Sequence, residues 1–141
     1  MWIVYAVLAA VLWGLNYSVA ERVLKDISPV TLLALEMLGG GILFLGLSFI
    51  LNLKSDYINI FRSGSTFTWV TLEVITVIIA NFFIVYSIQA KNATVAGLVE
   101  LMYPIFTIMF SWFLFKYYHV NLPVLVGGSL IMIGVTIISF A

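Results

Sequence analysis

Residues 95–115 read VAGLVELMYPIFTIMFSWFLF, 21 residues with no basic side chain and a single carboxylate, Glu100. At about 1.5 Å of rise per residue, a helix of this length covers roughly 30 Å, the hydrocarbon thickness of one bilayer. Lipid offers no partner for a backbone N–H or C=O, so an isolated apolar run crosses it as a helix that bonds its own backbone. A charged Glu near the centre of a lipid-facing helix costs on the order of 2.5–3.5 kcal/mol. A helix that keeps one turns it toward protein or a watery cavity. Glu100 is therefore the first functional candidate.

Four further apolar runs share this character. The predicted helices cover residues 2–19, 29–51, 69–89, 95–115 and 122–140, and Ser28-Pro29 reads as an N-cap followed by proline at the first helical position. The longest polar connection, residues 52–68, contains Lys54, Asp56 and Arg62, and residues 57–61 suit the membrane interface. The chain is 64% hydrophobic and 9% charged, with a mean hydropathy of +1.20. A soluble fold of 141 residues leaves too much of its chain facing water to hide such a content. The expected fold is thus all-α and integral to the membrane, a single domain of five transmembrane helices. The first run lacks a basic leader and a good cleavage site, so it is read as a helix that stays.

Composition also excludes. Net charge is zero, so no basic surface speaks for nucleic acid. Cysteine is absent and His119 is the one histidine, which leaves no disulfide, no thiol nucleophile and no expected metal site. No cofactor is called for. No HExxH, GxSxG or paired aspartates occur, so an enzyme is not expected.

Five spans place the two ends of the chain on opposite sides. Loops on the N-terminal side carry Lys54, Arg62 and Lys116, and those on the other side carry Arg22, Lys25 and Lys91. Basic loop residues orient a membrane protein, so three against three specifies no orientation. Either the free amino terminus or a partner breaks the tie, or copies insert both ways and pair antiparallel, or a partner has inverted orientation.

Because helix direction alternates, depths can be compared. Glu36 lies roughly 10 Å, and Glu100 roughly 8–9 Å, from the same face. Asn16 reaches that layer from the first helix, Asn81 and Tyr86 from the third, and Tyr103 from the fourth. These groups suit a shared cavity. Glu100, Glu36, Asn16, Asn81 and Tyr103 are the candidate substrate- or proton-binding residues, although asparagines also serve simply to bridge helices. A membrane carboxyl can exchange protons during solute movement or pair with a cationic substrate. Trp13, Tyr17 and Phe106 are candidate cavity walls, able to offer π faces to an organic cation or to pack as ordinary apolar groups. Glu73, close to one membrane face, reads as interfacial. Gly127, Gly128 and Gly134 give the last helix a thin face for helix packing. Gly39 to Gly41 either loosen the second helix or permit close packing. Pro104, one turn past Glu100, predicts a kink that frees a backbone carbonyl.

Several stretches resemble the drug/metabolite transporter superfamily, in particular its five-helix EamA-type repeat. Leu98-Val99-Glu100-Leu101-Met102-Tyr103-Pro104-Ile105-Phe106-Thr107 resembles the fourth-helix pattern ending in Tyr-Pro-Val-Phe-Thr. Gly127-Gly128-Ser129-Leu130-Ile131-Met132-Ile133-Gly134-Val135 is similar to its Gly-x-x-Leu-Ile-x-x-Gly-Val ending. Trp13-Gly14-Leu15-Asn16-Tyr17 is similar to the Trp-Gly-Ser/Thr-Asn-Phe of its first helix, and Asp26-Ile27-Ser28-Pro29 to the turn before its second. Two places depart: Glu36 stands where the family often has Arg, and Lys116-Tyr117-Tyr118 where it commonly has an acidic residue.

The resemblance implies one half of an inverted-repeat transporter fold, since larger members carry two such repeats in opposite orientation and rock around a site between them. It implies a secondary transporter or exporter of small metabolites or drugs, with proton coupling as one form. The expected partners are the lipid bilayer, a small-molecule substrate, and either a second copy in a homodimer, antiparallel or not, or an inverted paralogue. The expected location is a multi-pass position in the cell membrane, the prokaryotic plasma membrane in particular. The alternative is a non-transporting membrane accessory subunit or lipid-carrier component.

Overall fold

The computed structural model describes residues 1–118 and 120–140. His119, excluded above as a metal site on its own, lies outside the described residues, as does the C-terminal Ala141. Every regular element among the described residues is an α-helix. These are α1 (Trp2–Val23), α2 (Pro29–Ile50), α3 (Lys54–Arg62), α4 (Gly64–Ala90), α5 (Ala93–Glu100), α6 (Tyr103–Phe115) and α7 (Leu122–Ile138).

Four stretches are long and apolar enough to cross a bilayer: α1, α2, α4 and the α5–α6 pair, Ala93–Phe115. α7 has 17 residues and is shorter, so four candidate spans and a shorter apolar helix stand where five transmembrane helices were expected. It stops at Ile138 rather than residue 140 because the chain turns there, with Ser139 Oγ donating to the Thr136 carbonyl at 2.7 Å.

Local chemistry sets the other boundaries. Ser28 accepts from the Thr31 N–H at 3.2 Å and starts α2 together with Pro29. Asn92 caps α5 through the Val95 N–H at 2.8 Å, and Asn121 caps α7 through the Val124 N–H at 3.1 Å. The helix expected from residue 69 begins five residues earlier. Ser63 caps it through the Thr66 N–H at 3.3 Å, and Thr68 turns its hydroxyl back to the Gly64 carbonyl at 2.9 Å. Polar residues that bond to their own helix in this way need no loop. The polar connection before it folds as α3, whose exposed Tyr57, Ile58 and Phe61 form its apolar side. Ser111, Trp112, Lys116 and Tyr117 close α6. Lys116 takes a left-handed conformation, φ 59°, while its N–H and that of Tyr117 reach the Trp112 and Ser111 carbonyls at 3.0 and 3.2 Å.

The predicted kink in the fourth span is a break. α5 ends at Glu100 and α6 starts at Tyr103, with Leu101 and Met102 forming a tight turn between them. Pro104 has no N–H to give the Glu100 carbonyl, and its ring crowds that same carbonyl. The backbone answers with shorter-range bonds, Leu101 N–H to Leu98 O at 3.3 Å and Met102 N–H to Val99 O at 3.2 Å.

Burial is concentrated where α1 and α4 end and α5 begins. Leu24, Val85, Ile88, Ala93 and Ala96 form a core cluster, with Tyr17, Leu32, Leu33 and Ile84 packed against it. The two alanines let α5 come close to its neighbours. At this end Glu21 of α1 accepts the backbone N–H of Ala93, the first residue of α5, at 2.7 Å. Its charge also suits the positive end of the helix dipole. Glu21 is thus a clamp between two helices that are distant in sequence. Most of the remaining apolar surface is exposed, as a bilayer permits.

The close approach expected at Gly127, Gly128 and Gly134 is not made within the chain: a Cβ at any of the three meets nothing within 4 Å. The same holds at Gly39, Gly40 and Gly41. It is found at Gly97 of α5, where a Cβ would lie 3.1 Å from Cδ2 of Tyr17.

Two substitutions probe this packing. Glu21→Ala is expected to lower unfolding free energy by about 1–3 kcal/mol, because the Ala93 N–H loses its acceptor; Glu21→Gln keeps an acceptor oxygen and most of the stability. Melting curves of detergent-purified protein decide, and an Ala variant as stable as wild type would count against the clamp. Gly97→Ala is expected to cost about 1–3 kcal/mol through crowding of the Tyr17 ring. Gly46→Ala, in open space, is expected to be neutral or mildly stabilising in the same assay.

Candidate functional site

α1 presents Ala10, Trp13, Gly14, Tyr17 and Ser18 on one side, the three- and four-residue spacing of a single helix face. α4 opposes them with Val77, Ala80, Asn81 and Ile84 at the same spacing. The α5–α6 break closes the third side with Thr94, Gly97, Leu98, Glu100, Leu101 and Tyr103. Between them lies a cavity of about 830 Å³, within the size range of small-molecule sites. Small side chains on α1 and α5 make the room, and aromatic ones shape it.

Glu100 is half-buried at the last position of α5. Its Oε2 accepts a hydrogen bond from the Tyr17 hydroxyl. Tyr17 in turn packs its ring over Gly97 and stands against Trp13, with ring centroids 5.7 Å apart and planes inclined at 56°. One tyrosine therefore joins the carboxylate, the aromatic wall and the glycine contact. Asn81 donates its side-chain amide to the Val77 carbonyl of its own helix at 2.8 Å, so it lines the cavity while held in place. Ser18 likewise bonds back to the Gly14 carbonyl at 2.9 Å.

Of the residues singled out from sequence, Glu100, Asn81, Tyr103, Trp13 and Tyr17 meet in this cavity. Asn16, Glu36 and Phe106 do not line it. Asn16 is exposed on another face of α1, Phe106 is exposed on α6, and Glu36 is half-buried on α2. Depth alone had grouped them; rotation about each helix axis separates them. Glu73 is exposed on α4. Two roles escaped sequence reasoning: the hydrogen bond from Tyr17 to Glu100, and the Glu21 clamp. The stripe Gly14, Tyr17, Ser18, Glu21, at helical spacing on an otherwise apolar segment, was the available signal for both.

The α5–α6 break places the carboxylate at a helix end rather than inside a continuous rod. Restoring an N–H at that point with Pro104→Ala is expected to rejoin α5 and α6. Hydrogen exchange by mass spectrometry would show this as slower exchange over residues 101–105, and unchanged exchange there would mean that proline does not hold the break.

The profile of the EamA-like transporter family matches residues 1–140. No curated protein matches the chain, and no solved structure does.

Proposed function

Because the chain belongs to the EamA-like transporter family, a family of transporters and not of enzymes, we propose that it carries small solutes through the cavity between α1, α4 and the α5–α6 break. The apolar spans and the family make it a multi-pass membrane protein; we place it in a cell membrane, the plasma membrane of a prokaryote. The observation that carries the reading is Glu100, a carboxylate kept inside an apolar span, facing a cavity of solute size and bonded to Tyr17. Glu100 binds the solute or a coupled proton, Tyr17 holds the carboxylate in position, and Asn81 and Tyr103 shape the site. Protons drive transport by competing for the Glu100 carboxylate.

We further propose that the working unit pairs this five-helix unit, with α7 as its fifth span, with a second one of inverted orientation. Polar groups outside the cavity support this: Asn16 is exposed and Glu36 half-buried on largely apolar spans, where contact with lipid is costly. The open space beside Gly127, Gly128 and Gly134 would take a neighbouring helix. The three-to-three balance of basic loop residues agrees with insertion both ways. The partner is then an identical copy in an antiparallel homodimer, and the site alternates in access as the two units rock.

Transport is tested by solid-supported membrane electrophysiology on proteoliposomes across a panel of small solutes. The expected result is a solute-dependent current that responds to the proton gradient and is lost in Glu100→Gln, with melting temperature unchanged. A Glu100→Gln variant with wild-type current and pH dependence would remove Glu100 from the mechanism. Pairing is tested separately by a topology reporter fused after Ala141. Signal from both sides of the membrane is expected, and signal from one side alone would overturn antiparallel homodimers.

A further inference from the structure

We propose that the solute this cavity takes is an organic cation with an apolar body, its charge against the Glu100 carboxylate and its cationic head in the aromatic corner of Trp13 and Tyr17. The inference rests on the transport site described above and names its substrate class.

Charge comes first. Among the described residues, Glu100 is the one acidic side chain lining the cavity, and no Lys or Arg lines it. The nearest arginine in sequence to Tyr17, Arg22, is bound to Asp26 at 2.6 Å. The hydrogen-bond partner of the Glu100 carboxylate is a neutral hydroxyl. Among the described residues no cationic side chain lines the cavity beside this carboxyl group, so a ligand of opposite sign could pair with its carboxylate form at short range.

The backbone leaves the sign to the side chain. Glu100 is the C-terminal residue of α5, a negative helix end, and α6 starts at Tyr103 with a positive one. The two ends meet at the break and oppose each other, so the carboxylate sets the charge of this corner.

The walls then choose the kind of cation. Inorganic divalent ions want several oxygen ligands; Glu100 supplies the only lining carboxylate, and no group of three His, Cys, Asp or Glu that could hold a metal occurs among the described residues. Beside Glu100 stands the ring of Tyr17, tilted against Trp13 with centroids 5.7 Å apart, and Tyr103 lines the same cavity. Aromatic faces attract weakly hydrated cations such as quaternary ammonium groups. Beyond that corner the lining turns aliphatic, with Ala10, Ala80, Ile84 and Leu98, which suits an apolar body. Gly97 fixes the corner, because the Tyr17 ring lies where a larger residue would stand.

The test uses the full chain in phosphatidylcholine nanodiscs and two probes of one shape. Benzyltrimethylammonium carries the charge, and neopentylbenzene is its uncharged isostere. Calorimetry or tryptophan fluorescence is expected to show saturable binding of the cation and at least about tenfold weaker binding of the isostere. Glu100→Gln, with an unchanged melting temperature, is expected to lose that preference for charge. Trp13→Leu is expected to weaken the cation by about tenfold, within the range of cation–π contacts, and the isostere less. Equal binding of both probes, or full cation binding by Glu100→Gln, would overturn the proposal. So would Glu100-dependent flux of an anionic or neutral solute by protein that binds no cation, an outcome that leaves the transport reading standing. Cation binding by protein that passes no solute in proteoliposomes would support the substrate class and sink transport instead.

Discussion

The seam between α1 and α5 is the contact on which the rest of the structure depends. Lipid tails are as apolar as the side chains of this chain, so burial of leucines gives its helices little reason to associate. Position is set by a few places where backbones come close or polar groups meet. The seam has three in succession. Glu21 holds the Ala93 N–H, Gly97 admits the Tyr17 ring, and Tyr17 bonds Glu100. Residues 17 and 21 lie one turn apart on α1 and 93, 97 and 100 follow one another down α5, so the contacts form a single stripe. It begins beside the buried core and ends at the cavity. Structure and site thus share their side chains.

This continuity gives the α5–α6 break its meaning. α5 is tied to α1 along its length, whereas α6 begins after a turn in which Pro104 prevents the ordinary backbone bond. α6 makes a ring contact with the start of α4, Phe115 on Trp69 at 5.2 Å, at the end of the bundle remote from the seam. A span divided in this way can tilt one half without dragging the other. The carboxylate sits on the tied half, at the joint, where a small change in α6 alters its surroundings without displacing it. In the transport proposed above, Glu100 on the tied half would be the fixed group and α6 the wall that moves beside it.

Much of the fold was legible from sequence because apolar length is a strong signal and bilayers leave few alternatives. The helix start at Ser28 follows from ordinary capping chemistry; Asn92 was read as part of a link, and as a cap it starts α5 at Ala93, two residues before the expected 95. The start of α4 at Gly64 was not legible, because the polar run 63–68 satisfies itself by side-chain to backbone bonds and so resembles a loop. The break at 101–102 was anticipated as a kink, since proline marks the place but not the extent of disruption. The site was legible in depth and illegible in rotation. Counting residues gave Glu36 and Asn16 the same height as Glu100, but which way a side chain points depends on packing against neighbours. A helix apolar on every side carries no amphipathic contrast to reveal it. Tyr17 was seen as a wall and not as the partner of Glu100 for the same reason.

The residues that failed to join the cavity carry information of their own. Had Glu36 and Asn16 turned inward, one unit would have gathered its polar groups into a closed site and presented lipid with a uniform surface. Instead the chain leaves a carboxylate and an amide outside its own cavity, on helices whose exposed positions are mostly apolar. Lipid penalises each by an amount comparable to a whole interhelical contact. Water near the membrane face relieves part of that cost, but Glu36 lies roughly 10 Å in. A protein neighbour relieves more, and it would meet glycines with open space beside them on α7. In the pairing proposed above, specificity for a second unit would arise from that same expense: polar groups outside the cavity would bind a partner because lipid cannot satisfy them.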